Sequence, residues 1–132
     1  LDKGADEAIM MDMNGFLSEG SGENVFIIKD EVVLTPTIDH CLNGITRQSV
    51  IQMAKDLSIE VHEKDLRYED LKNADEAFFT GTAVEITPIT KLDQSRINDG
   101  KRGPITKILQ DSFMNIVSGQ NLKYSNWLTF TR

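Results

Sequence analysis

A chain of 132 residues is long enough to bury one sizeable core and too short for two. With 39% apolar and 27% charged side chains, and no apolar run long enough for a bilayer, it is neither a disordered nor a membrane-spanning polypeptide. Fourteen basic against twenty-one acidic residues leave a formal charge of −7, which argues against nucleic acid as a partner. The lone cysteine, Cys41, excludes an internal disulfide framework and suits a reducing, cytoplasmic setting. Leu1 opens the chain without a signal-peptide pattern, as expected of a piece of a longer protein.

Ala8 to Met13 is an apolar run ending at Asn14-Gly15, the strongest short hairpin signal, and Phe16-Leu17 begins the return strand. That strand dissolves into a small polar cluster, Glu19-Gly20-Ser21-Gly22-Glu23-Asn24. Beyond it, Val25-Phe26-Ile27-Ile28 and Val32-Val33-Leu34 flank Lys29-Asp30-Glu31 and read as a second hairpin of short, buried strands. Thr35-Pro36 stops this hairpin. From about Thr46 the period changes, and Val50, Met53, Ala54 and Leu57 recur at helical spacing against Gln48, Gln52, Lys55 and Asp56.

Ile59-Glu60-Val61 alternates like a strand, and Tyr68 to Ala74 suits a short helix with Leu71 as its core contact. Glu76 to Thr80 is a strand broken at Gly81, and Ile86 to Leu92 is another, which Pro88 makes an edge or a bulge. Asn98-Asp99-Gly100 marks a turn. Gly103-Pro104 opens the clearest helix, with Ile105, Ile108, Leu109, Phe113, Ile116 and Val117 as its apolar stripe and Gly119 as its stop. The tail from Gln120 to Arg132 carries no pattern that places it. There are no repeats and no linker, so the pattern predicts one mixed α/β (α+β) domain over residues 1–132.

Three polar interruptions carry the chemistry. A helix opening at Gly44-Ile45-Thr46 offers unpaired backbone N–H groups, a positive dipole end and a hydroxyl, the makings of a phosphate site. Most such N-termini bind nothing, and Thr80-Gly81-Thr82-Ala83 is by itself more often a plain turn than an anion nest. Glu19 by itself is an ordinary solvated carboxylate. His40, Cys41 and His62 do not make a recognisable zinc site, so no metal is expected. Arg47, one step past the helix opening, reads as a surface or inter-element salt bridge before a phosphate ligand. Tyr68, Trp127 and the Met10-Met11 pair read as packing or interface residues.

Taken together and in order, Glu19-Gly20-Ser21-Gly22-Glu23-Asn24-Val25-Phe26, Leu42-Asn43-Gly44-Ile45-Thr46-Arg47 and Phe79-Thr80-Gly81-Thr82-Ala83-Val84-Glu85-Ile86-Thr87-Pro88 closely resemble the class IV pyridoxal-phosphate aminotransferases. Within that family the likeness is greatest to the branched-chain amino acid aminotransferases. It runs from about Gly4 through Val117 and takes in Asp6-Glu7-Ala8 and Gly103-Pro104-Ile105-Thr106. The fold it implies is the large domain of fold-type IV enzymes, a pseudobarrel-like sheet with flanking helices.

The resemblance also implies roles. Glu19 falls where the family places the carboxylate that meets the pyridine nitrogen of pyridoxal 5′-phosphate, keeping that nitrogen protonated. Leu42 falls on the residue that packs against the ring. Gly44, the backbone of Ile45 and Thr46, and the hydroxyls of Thr46 and Thr82 match the phosphate cup. The N–H groups of Thr82 and Ala83 match the turn that receives the substrate's α-carboxylate. One departure is Asn43, where many relatives have proline; the phosphate contacts are expected to survive it with a less rigid approach.

The same resemblance implies an absence. The family's lysine, which links covalently to the cofactor and moves the proton, lies upstream of the Glu19 motif, and none of the nine lysines here sits in its setting. The N-terminal domain, with an arginine for the phosphate and much of the substrate pocket, is expected to be missing too. The fragment is therefore expected to be inactive alone, with no catalytic residue of its own. The whole enzyme would exchange an amino group between leucine, isoleucine or valine and 2-oxoglutarate as a homodimer or larger homo-oligomer. D-Amino acid aminotransferases and aminodeoxychorismate lyases share fold and cofactor, and a non-catalytic phosphate-ligand or assembly module is the alternative of another class. Glu19 discriminates the last, since a bare phosphate binder needs no carboxylate facing a ring nitrogen.

Overall fold

The computed structural model describes residues 9–11, 13–20, 23–38, 44–81, 85–92, 95–97 and 100–117. Among them the chain runs β1 (Ile9–Met11), β2 (Leu17–Gly20), β3 (Glu23–Lys29), β4 (Val32–Thr35), α1 (Ile45–Asp56), β5 (Val61–Glu63), α2 (Tyr68–Lys72), β6 (Glu76–Gly81), β7 (Glu85–Pro88), β8 (Lys91–Leu92), β9 (Ser95–Arg96) and α3 (Pro104–Val117). Strands β1 to β7 form one mixed sheet, and β8 and β9 form a separate ribbon. The α+β expectation with flanking helices holds.

Strand β3 is the centre. One edge pairs antiparallel with β6 from Asn24↔Thr80 to Ile28↔Glu76. The other edge is shared by β2, which takes the first residues, and β4, which takes Ile27 to Lys29. Because successive side chains point to opposite faces, Phe26 and Ile28 enter one core with Phe78, Val50, Met53, Ala54, Leu109 and Phe113. Val25 and Ile27 enter a second with Leu17, Leu66, Leu71, Ala77 and Phe79. Phe26 and Phe78, directly opposed, stack with ring centroids 5.0 Å apart. Continuous burial on both faces is why the run lacks an apolar/polar alternation.

Both expected hairpins form. Gly15, at φ 84°, turns β1 into β2, and Arg67 holds that turn by bonding the Asn14 carbonyl at 3.3 Å and lying 4.3 Å over the Phe16 ring. Asp30 and Glu31 both have positive φ, the two-residue turn that matches strand twist. Asp75 supports this turn through the Asp30 N–H at 2.8 Å and the Lys29 ammonium at 3.6 Å. The polar cluster does not dissolve β2. The strand continues through Gly20, with Glu19↔Asn24 and Gly20↔Glu23 in register.

Strands β4 and β5 are parallel and joined by the α1 crossover. α1 begins close to its expected start and buries Val50, Met53 and Ala54, whereas Leu57 is 44% exposed. Ser58, at φ 61°, ends the helix in a Schellman motif, with Ser58 N–H on the Lys55 carbonyl and Ile59 N–H on that of Ala54. Ile59 therefore closes the helix, and the strand starts only at Val61. The expected strand from Ile86 to Leu92 is divided: Pro88 has no N–H, and after one more bond, Ile89 to the Ala77 carbonyl, the chain leaves the sheet. α2 presents Leu71 to the core as expected.

α3 starts at Pro104, as Gly103-Pro104 predicts. Among its described side chains Thr106, Leu109 and Phe113 are buried, while Ile108 is 46% exposed. Of the expected stripe, Leu109 and Phe113 thus face the core and Ile105 packs partly buried against it, while Ile108 does not. Its N-terminus is closed from another element: the buried Glu76 carboxylate accepts from Ile105 N–H at 3.2 Å and Thr106 N–H at 2.7 Å. A Cβ on Gly103 would collide with that carboxyl group. Gln110 then bonds the Ile86 carbonyl and ties α3 to β7. Among the described residues no helix is long and apolar enough to cross a membrane. Gly119 and the tail lie outside them.

These contacts set a stability test. Glu76→Ala should cost about 1–2 kcal/mol through the lost cap, and Gly103→Ala about 1–3 kcal/mol through overpacking. In urea denaturation the double variant should cost less than the sum, because removing the carboxylate makes room for the methyl. Strict additivity would mean that the two groups do not meet.

Candidate functional site

Where β3 leaves the apolar core, its face turns polar. Asn24, 7% exposed, precedes the buried run Val25 to Ile28 and sits between Glu19 on one side and Thr80 on the other. Directly opposed residues are about 4.5–5.5 Å apart at Cβ, so the three positions form one row across β2, β3 and β6. Thr80 is fully buried, and its hydroxyl oxygen has no hydrogen-bond partner among the described residues. A buried hydroxyl without a partner is costly in an apolar core, and is more at home where a polar group arrives.

The N-terminus of α1 comes down on this row. Gly44 is its N-cap, in extended conformation, and a Cβ there would stand 2.7 Å from the Asn24 side-chain oxygen. Any larger residue there would push on the Asn24 side chain. Gly44 has no side chain with which to cap the helix, and the first intrahelical bond runs from Gln48 N–H to the Gly44 carbonyl. The N–H groups of Ile45, Thr46 and Arg47 precede that bond and carry the positive end of the helix dipole. Thr46 is 9% exposed and Ile45 is 63% exposed. Among the described residues, α3 starts on a carboxylate from another element, whereas the N-cap of α1 is a glycine.

Of the site residues expected from the sequence, Gly44, Ile45 and Thr46 make up the α1 opening. Glu19 is placed by its backbone register opposite Asn24. Leu42, Thr82 and Ala83 lie outside the described residues; Gly81 and Glu85, on either side of the latter pair, are in register as the last paired residues of β6 and β7. Neither Asn24 nor Thr80 carries an assigned role in the sequence. The signal for both was a polar residue at the end of a run otherwise buried on two faces. Arg47 is an inter-element ion pair, as expected, but a buried one: it is 2% exposed and lies 2.5 Å from Glu63.

The fold thus sets the positive end of the α1 dipole beside a strand row that includes Glu19. The amino-transferase class IV family model matches residues 1–92, more than half of the chain and every site position named above. The branched-chain-amino-acid aminotransferase of Pseudomonas aeruginosa is 46% identical over 129 residues, which cover 98% of this chain and 42% of that protein. The crystal structure of the branched-chain aminotransferase from Thermoproteus uzoniensis with norvaline superposes with a TM-score of 0.90 at 48% identity, covering 95% of this chain and 41% of that one. The branched-chain amino acid aminotransferase from Thermobaculum terrenum, solved in its PLP-form, superposes with a TM-score of 0.90 at 38% identity, covering 94% of this chain and 41% of that one. The chain thus spans less than half the length of these relatives. With the family model covering both the strand row and the α1 opening, the chain belongs to the class IV aminotransferases.

Proposed function

We propose that residues 1–132 are the C-terminal, cofactor-binding domain of a branched-chain amino acid aminotransferase. The whole protein would pass an amino group between leucine, isoleucine or valine and 2-oxoglutarate. The observation that carries this reading is the close approach of Gly44 to Asn24. It sets a helix N-terminus with a glycine N-cap against the strand row that holds Glu19. The chemistry of the residues fits pyridoxal 5′-phosphate, a molecule with an anion at one end and a ring nitrogen at the other.

When bound, that cofactor supplies an electron sink for a carbanion at the substrate's α-carbon. The chain's own residues would hold it. Ile45 and Thr46 offer backbone N–H groups to the phosphate, and the hydroxyls of Thr46 and Thr82 add to them. Leu42 packs against the ring face. The Glu19 carboxylate keeps a proton on the ring nitrogen by stabilising the charged form of its partner. The N–H groups of Thr82 and Ala83 receive the substrate carboxylate. The proton-moving lysine and the rest of the substrate pocket belong to a region upstream of Leu1, and a homodimer or larger homo-oligomer in the cytoplasm is the expected assembly.

A protein extended upstream through the family's lysine should transaminate leucine with 2-oxoglutarate, while the isolated chain should be inactive and bind pyridoxal phosphate weakly at most. An extended protein with no leucine transamination would overturn the branched-chain reading. In that protein, Glu19→Gln should lower kcat by roughly 10²-fold or more, as expected for removal of a preorganised charge facing the reacting group. Gly44→Ala should weaken pyridoxal phosphate binding, and Asn24→Ala should relieve part of the defect by vacating the space the new methyl needs. A titration of each variant followed by absorbance checks both expectations.

A further inference from the structure

We propose that Arg47 is a positioning residue for the anion-binding first turn of α1, and that Glu63 engages its charge in place of the anion. The inference rests on the reading of that turn as the phosphate site. Arg47 is the third residue of α1 and among the largest fully buried side chains of the chain. Its Nη2 donates to the Pro36 carbonyl at 3.0 Å and to the Glu63 carboxylate at 2.5 Å. Pro36 follows the end of β4, and Glu63 ends the parallel neighbour β5. One guanidinium therefore fastens the first turn of α1 to the ends of two adjacent strands, while Asn24 stands against the N-cap from β3.

The electrostatics fit a brace. A guanidinium buried to this extent needs a counter-charge, and Glu63, at 46% exposure, supplies one while keeping its own hydration. With that charge balanced, the attraction left at the helix start is that of the backbone N–H groups, whose direction depends on how the turn is held. Holding those groups in place before the anion arrives removes an ordering cost from binding.

The test uses the protein extended upstream, with pyridoxal phosphate as the probe and backbone hydrogen exchange as a second readout. Arg47→Met should weaken binding roughly tenfold or more, a turn misplaced by a fraction of an ångström being enough. Arg47→Lys, which keeps the charge on a shorter side chain, should recover part of that loss. Exchange in the Arg47→Met protein should quicken over residues 45–50 while β3 stays protected. Glu63→Gln fixes the sign: a brace loosened at one end binds the probe more weakly, whereas a guanidinium released toward the anion would bind it more tightly. Tighter binding in Glu63→Gln, unchanged binding in folded Arg47→Met, or faster exchange spread evenly over the chain would each overturn the proposal. Absence of probe binding in the wild-type protein would instead overturn the phosphate-site reading on which it rests.

Discussion

The structure depends on the double burial of β3. Five consecutive residues, Asn24 to Ile28, are buried and pair one for one with β6. Fully burying each large apolar side chain contributes roughly 1.5–3 kcal/mol, so this strand and β6 dominate the stabilisation. Every other element is located by what it covers. α1 and α3 close the face bearing Phe26 and Phe78, and Leu66, Leu71, Ile89, Leu92 and Ile97 close the other.

The same strand sets the limit of the core. At Asn24 the apolar sequence stops while the backbone ladder continues, so polar groups are carried into a frame as rigid as the core itself. Rigidity here is a matter of backbone bonds: Asn24 pairs on one side with β2 and on the other with β6. A site on paired strands and a helix N-terminus holds its geometry better than one on free loops. The glycine at the α1 N-cap completes the arrangement by leaving room for the Asn24 side chain against the helix start.

The two helix N-termini are opposite solutions to one problem. Each leaves N–H groups without an intrahelical acceptor. At α3 the buried Glu76 fills the need, and the close fit to Gly103 explains why glycine precedes the proline there. At α1 the N-cap is a glycine with no side chain of its own, and the charged side chain of its first turn, Arg47, is engaged by Glu63 and Pro36.

What the sequence alone determined was local. The two hairpins, the existence of all three helices, the Gly-Pro opening of α3 and the family motifs are each written within a few neighbouring residues, because turn chemistry and hydrophobic period act over that range. It went astray where a partner from elsewhere decides. Leu57 and Ile108 continue a helical apolar stripe and yet are exposed, since the Schellman turn and the docking of α3 set which face is covered. Only the tertiary structure decided that Glu76, 30 residues before Thr106, would cap α3, or that Arg47 would be buried against Glu63. The same holds for Asn24, which meets Gly44 only after folding. The physical reason is that desolvation and pairing of a polar group depend on the atoms packed around it in space, and those come from elements whose distance along the chain carries no signal of contact.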